Sequence, residues 1–179
     1  DVVHNNGSKS PRVDVERLLA IKSAGVLMGF PAMVIDCEHA IKYTMSDEKG
    51  NYLGGGQTPG FQCKFDAMAY QSPVGPQVTM DFANSVLGDK NKELDLCEKN
   101  DEEGLVAGVL GETRAFLKYA IEEWVRRSEE VLKKARAKND GSYNNGLQVY
   151  LTGGDAEVVQ KLLSPDRWYL SDTMPVTWL

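Results

Sequence analysis

Residues 32–53 read AMVIDCEHAIKYTMSDEKGNYL, and three patterns follow one another within them. Ala32 to Asp36 is a short apolar run ending in a carboxylate, the pattern of a buried strand. Ile41, Tyr43 and Met45 then alternate with Lys42, Thr44 and Ser46, the period of two that marks a half-exposed strand. Asp47-Glu48-Lys49-Gly50 supplies a turn, and Asn51-Tyr52-Leu53 returns as the hairpin partner. Helical and strand patterns alternate on both sides of this stretch, which points to the α/β class.

Toward the N-terminus, residues 1–10 are polar and rich in Gly, Asn and Ser, the composition of a flexible arm. Ser10-Pro11 is expected to open a helix whose apolar face is Val15, Leu18, Leu19 and Val26, ended by Gly25 and Gly29. Toward the C-terminus, Gly54-Gly55-Gly56-Gln57-Thr58-Pro59-Gly60 reads as a loop. A helix over Phe61–Tyr70 follows it, with Phe65, Met68 and Ala69 facing inward. Residues 71–99 hold two prolines and mixed signals that give no clear order. The strongest element is a long helix over about 101–138. Leu105, Val109, Phe116, Ala120 and Trp124 form one ridge of it, and Val106, Leu110, Leu117, Ile121 and Val125 the neighbouring ridge. Asn139-Asp140-Gly141 stops it, with a loop to Gly146. A buried-type strand (Leu147–Leu151), Thr152-Gly153-Gly154-Asp155, a helix (Ala156–Leu163) and a last strand near Trp168-Tyr169-Leu170 complete the chain. Residues 11–179 are therefore expected to form one α/β domain, a mixed sheet with flanking helices.

Of 179 residues, 20 are Lys or Arg and 26 Asp or Glu, a net charge of −6 that argues against nucleic acid or an anionic membrane as partner. The longest apolar stretch, Ala24 to Ile35, is too short to span a bilayer and is interrupted by Gly29 and Pro31, so the expectation is a soluble protein. Cys37, Cys63 and Cys97 are far apart and never in a Cys-x-x-Cys pair. That spacing argues against a disulfide framework and a zinc knuckle and for a reducing compartment, the cytoplasm or, if a presequence is removed, an organelle matrix or chloroplast stroma. No signal peptide is visible, and the start at Asp1 suggests removal of a presequence or a longer N-terminal part.

Glu122–Arg126, Glu123–Arg127, Glu129–Lys133 and Glu130–Lys134 place Glu four residues before a cation, the order that supports an exposed helix by about 0.2–0.5 kcal/mol per pair. Gly104, Gly108 and Gly111 read as close packing of that helix against a sheet or partner helix, and are compatible with a homodimer. Glu38-His39 has no further ligand at metal spacing, and His4 lies in the arm. Cys37 lacks positive surroundings and reads as a small core residue. The two glycine loops carry more chemistry. Thr152-Gly153-Gly154-Asp155 sits between a buried strand and a helix start, where backbone N–H groups can cradle phosphate.

The order of these landmarks resembles the type III pantothenate kinases of the actin-like and sugar-kinase superfamily, over nearly all of residues 11–179. Val13-Asp14-Val15-Glu16-Arg17 stands at the family's Gly-x-Asp-Arg segment, and Asp36-Cys37-Glu38-His39-Ala40 at its Asp-Phe-Gly-Thr-Ala phosphate motif. Leu53 to Gly60 fits its Gly-Gly-x-Ile-x-Pro-Gly loop in spacing, with Gln57 replacing Ile, and Thr152-Gly153-Gly154-Asp155-Ala156 matches its Thr-Gly-Gly-Asp-Ala in full. The resemblance implies a ribonuclease-H-like/actin-like kinase fold and ATP with Mg²⁺ and a monovalent cation. It implies Glu16 at the catalytic-base position, Asp36 at the monovalent-cation position, and nucleotide-side contacts at Thr152, Gly153 and Gly154, with Gly54, Gly55 and Gly60 in the second loop.

The departures set the functional expectation. Glu16 is one methylene longer than the family's Asp, and Glu38 and His39 replace the Gly and Thr that approach phosphate. The family's Asn-Thr pair falls at Asn100-Asp101, and its N-terminal Asp-x-Gly-Asn-Thr loop has no counterpart. A carboxylate at close range to a polyphosphate opposes binding. The sequence therefore favours an inactive kinase-like subunit that needs no cofactor and docks on a protein partner or larger complex. The alternatives are an active pantothenate kinase and a nucleotide-binding regulator.

Overall fold

In the computed structural model, residues 14–72, 74–88, 94–137, 148–163 and 176–178 are described. The apolar run becomes β1 (Ala32–Cys37), and the alternating run becomes β2 (Ala40–Ser46), antiparallel to it with Ile35 opposite Tyr43. β3 (Tyr52–Pro59) continues the meander. On the other side of β1 lie β4 (Gln148–Thr152) and then β5 (Val176–Trp178), both parallel to β1. The sheet order is β3-β2-β1-β4-β5, the mixed ribonuclease-H-like arrangement. The expected strand near 168–170 lies outside the described residues, and the strand observed beside β4 is β5.

Strand alternation divides the interior into two clusters. Met33, Ile35, Cys37, Val149 and Leu151 face one way, against α2 (Phe61–Gln71), α3 (Met80–Leu87), α4 (Asp101–Ala137) and α5 (Ala156–Leu163). Ala32, Val34 and Tyr150 face the other way, against Ile21 and Ala24 of α1 (Val15–Met28). The long helix α4 matches the expected span, and Val106, Leu110, Leu117, Ile121 and Trp124 bury its inner stripe. Asn100 caps it, its Oδ1 accepting the Glu103 N–H at 2.8 Å. Glu123 accepts from both Arg126 and Arg127, and together they hold its carboxyl down at about 2. Among the described residues no helix is long and apolar enough to cross a membrane.

Several expectations are corrected. The residues of the expected Ser10-Pro11 cap lie outside the described part, and the helix that is seen begins at Val15 with Asp14 as cap, accepting from the Glu16 N–H at 3.1 Å. The face of α1 is also inverted. Val15 (67% exposed), Leu19 (61%) and Val26 (75%) point outward, whereas Ile21 and Ala24 are buried. Gly25 does not end α1; it lies within it, where a Cβ would collide with the Phe30 ring. In α2 it is Phe61 and Phe65 that are buried, while Met68 is 52% exposed. Among the described residues Gly104 and Gly108 have open space and Gly111 meets Leu96 and Leu94, so the glycines of α4 do not pack against the sheet of their own chain. The expected loop 54–60 is mostly strand, with Gly54, Gly55 and Gly56 opposite Met45, Thr44 and Tyr43.

Candidate functional site

The turn Glu38-His39, which joins β1 to β2, is held from two sides. The Gly60 N–H donates to the His39 carbonyl at 2.8 Å, and the Asp155 N–H donates to the Cys37 carbonyl at 2.9 Å. Gly60 is the N-cap of α2, and Asp155 immediately precedes α5. Two helix N-termini, each with uncompensated N–H groups and a positive dipole end, thus meet at one turn. Glycine is required at both junctions. A Cβ on Gly60 would collide with the Glu38 carbonyl, and one on Gly153, whose φ is +93°, with the Cys37 carbonyl.

A cleft of about 660 Å³ opens beside this turn. Glu38 and His39 line it from the turn, Gly154 and Asp155 from the β4–α5 corner, and Gln62, Cys63 and Asp66 from α2. Gln62 braces the wall, donating to Asp66 at 2.7 Å and accepting the Met80 N–H at 3.2 Å. Burial raises the Asp155 carboxyl above its ordinary value, Glu38 raises it further, and His39 opposes both. The described lining holds three carboxylates and neither Lys nor Arg.

The opposite face of the sheet edge carries a second group. Asp36 is in register with Lys42 on β2 and with Thr152 on β4, so all three project toward the N-terminus of α1. Burial raises the Asp36 carboxyl first, Glu38 next, then Glu16 and Asp14, with Lys42 opposing. Lys42 also pairs with Asp14 at 3.4 Å. Arg17 pins α1 to β2, donating from Nε to Thr44 Oγ1 at 3.0 Å and from Nη2 to the Tyr43 carbonyl at 2.6 Å. Glu16 is exposed beside it in the first turn.

Of the residues singled out from sequence, Glu16, Asp36 and Thr152 gather on the α1 side, and Gly60, Gly153 and Gly154 gather around the turn. Gly54 and Gly55 do not join them. They lie within β3, and Gly55 is glycine because a Cβ would strike Arg17 and the Tyr43 carbonyl. Cys37 is buried and its thiol is pushed far up by burial, as a core residue requires. Asn100 faces a separate cleft with Lys99 and Gly75, its Oδ1 engaged as the α4 cap. Sequence reading missed Arg17 as an anchor, Gln62 as a brace and Asp155 as a titrating neighbour of Glu38. The VDVER segment and the Gly-Gly-Asp corner already contained the first and the last.

The donor set fits the implied groups unevenly. The two helix N-termini suit a phosphate, and Glu38 opposes one. Asp36 feels the charges of Glu38, Glu16 and Asp14, with Lys42 opposing them. Among the described residues no group of three His, Cys, Asp or Glu side chains is arranged to hold a metal ion.

No family model matches the chain. Curated proteins do. A type III pantothenate kinase of Synechococcus sp. is 27% identical over 154 residues, 86% of this chain and 52% of the relative. One from Flavobacterium johnsoniae is 29% identical over 163 residues, 89% of this chain and 55% of the relative. One from a Nostoc species is 30% identical over 115 residues, 64% of this chain and 39% of the relative. The chain is a relative of the type III pantothenate kinases. It spans about half the length of the first two relatives. Among solved structures, a Baf family transcriptional activator protein from Campylobacter jejuni aligns over 95% of this chain and 60% of its own, with a TM-score of 0.54 and 16% identity. That likeness establishes the shared fold.

Proposed function

We propose that this chain forms part of an ATP-dependent pantothenate-kinase-type phosphotransferase. The observation that carries the reading is the convergence of the α2 and α5 N-termini on the turn that ends β1. Backbone N–H groups and helix dipoles there favour an anion, and Gly154, which has open space where a Cβ would stand, lets a polyphosphate approach the backbone. The kinase relatives favour this over the inactive subunit that the replaced motifs suggested.

In this reading Glu16 takes the proton of the pantothenate hydroxyl as its oxygen bonds to the γ-phosphorus of ATP, and ADP leaves. Asp36 would hold a monovalent cation, which would supply positive charge to the site, and Thr152 would border the nucleotide side. Phosphoryl transfer relies on positioning and charge neutralisation. The nucleotide would enter with its divalent cation, which offsets Glu38 and Asp155. Further cationic groups would come from outside the described cleft.

The test is release of ADP by the longest natural form of the protein, with and without pantothenate, and again in Glu16→Gln. Pantothenate-dependent release that falls by about 10²–10⁴ in the variant is expected for a general base. A folded protein that neither binds ATP nor releases ADP would overturn the reading. The three carboxylates of the cleft favour that second case, a non-catalytic interaction subunit with a protein partner. Binding of ATP without turnover would instead indicate a nucleotide-binding regulator.

A further inference from the structure

A second, smaller cavity lies at the opposite end of β1 from Asp36. Its volume is about 190 Å³, below the roughly 300–1,000 Å³ of drug-sized sites, so it suits a fragment-sized molecule. Pro31 and Met45 form its apolar floor, and Leu53 stands at its mouth. Leu53 reaches that position through a register slip. Met45 pairs with Gly54 and Ser46 with Tyr52, which leaves Leu53 as the extra residue of a bulge. The floor is held rigidly, because Ser46 Oγ accepts the Ala32 N–H at 2.9 Å and donates to the Ala32 carbonyl at 3.0 Å.

The polar groups around this floor are unevenly satisfied. Ser128 lines the cavity at 5% exposure, and its hydroxyl has no hydrogen-bond partner among the described residues. Arg127 is engaged by Glu123 at 2.7 Å. Asp47 accepts the N–H groups of Lys49 and Asn51 at 2.9 and 2.8 Å, and the Asn51 side-chain amide at 2.8 Å. Glu48 makes neither an ion pair nor a hydrogen bond among the described residues. The rim therefore carries one unmatched carboxylate, above an apolar floor with an unused hydroxyl.

We propose that this cavity binds small primary amines that carry a compact apolar body. The body lies against Pro31, Met45 and Leu53, Glu48 supplies the counter-charge, and Ser128 supplies a hydrogen-bond acceptor inside. A carboxylate of the same shape meets the negative charges of Glu48 and Asp47, while the Arg127 guanidinium is already paired with Glu123. The site shares no residue with the cleft beside Glu38, so it stands whether or not the phosphotransferase reading does.

The test is a titration of the ¹⁵N-labelled full chain with phenethylamine and, in parallel, with phenylpropionate, which keeps the body and reverses the charge. Saturable shifts of the amides around Asp47–Leu53 and Arg127–Ser128 are expected with the amine. Its affinity should be at least about tenfold greater than that of the acid, and Glu48→Gln should weaken it about tenfold, the scale of one charge-assisted contact. Glu48 sits on a turn, and an unchanged spectrum of the unliganded variant shows that the fold is intact. Absence of saturation, equal affinity for acid and amine, unchanged binding by Glu48→Gln, or shifts confined to other regions would each overturn the proposal.

Discussion

Asp36 and Thr152 stand in register across β1 and β4, at the C-terminal ends of two adjacent parallel strands. In open α/β sheets that is where ligand crevices form. Glu38, two residues beyond Asp36, acts on both sides of the crevice. It raises the carboxyl of Asp36 on the α1 side and of Asp155 on the cleft side. One side chain thus links two groups that the sheet would otherwise separate.

Replacing Glu38 by Gln should lower the pKa of Asp36 and of Asp155 together. Carboxyl-carbon NMR titration of the variant against the parent measures both at once. A fall at only one of the two would mean that Glu38 does not bridge the faces.

Stability should carry the imprint of the same carboxyls. Burial and Glu38 raise Asp36 and Asp155 above 3.8, so the folded state holds these protons more tightly than the unfolded chain. Their contribution is complete below 3.8 and is lost as pH rises through the raised folded values. Glu123 has the opposite sign, its contribution present above 4.5 and lost as pH falls through about 2, and its exposure leaves it screened by salt. Asp155→Asn should therefore gain in urea midpoint over the parent at neutral pH but not below 3.8. Equal midpoints at both would remove the raised carboxyl as the cause.

The meander, the long helix and the Thr152–Asp155 corner were legible because period-two alternation, a 37-residue amphipathic stripe and a Gly-Gly turn are local signals. The inversion of α1 was not. Its sequence VERLLAIKSAGVLM is apolar on two stripes, and only the small Ala32 and Val34 opposite it decide that Ile21 and Ala24 go inward. The triple glycine of β3 misled for a related reason. Glycine usually signals a loop, but here Tyr43 and Arg17 from neighbouring elements occupy the space where side chains would stand. The site was legible as motifs, while its division into two faces depends on strand register, which the motifs do not encode.

The α1 assignment makes a mutational contrast. Ile21→Ala should destabilise by about 2–5 kcal/mol through the cavity it leaves. Leu19→Gln and Val26→Gln, on the outward stripe, should each stay within about 0.5 kcal/mol. Thermal unfolding of the three variants decides the face, and the reverse ranking would restore the stripe first read from the sequence.

The β4–α5 corner offers a second contrast between adjacent glycines. Gly153→Ala forces a side chain into positive φ and onto the Cys37 carbonyl, and should cost about 1–3 kcal/mol. Gly154→Ala meets open space among the described residues and should be nearly neutral. Circular-dichroism melts of both variants compare them directly, and equal losses would mean that the corner is not strained at Gly153.

Tyr150 gives the least intuitive expectation. Its hydroxyl is buried in the apolar cluster under α1 with no hydrogen-bond partner among the described residues, and burial pushes its pKa up to about 12. An unpaired buried hydroxyl carries a desolvation penalty of about 1–3 kcal/mol. Tyr150→Phe removes the hydroxyl and keeps the ring, so the urea midpoint should hold or rise. Tyr150→Ala removes the ring as well and should lose about 3–5 kcal/mol, in line with large aromatic truncations. A clear fall in the midpoint of Tyr150→Phe would show that the hydroxyl is bonded within the folded chain, and the cluster beneath α1 would then contain a polar contact that helps to hold β4 against it.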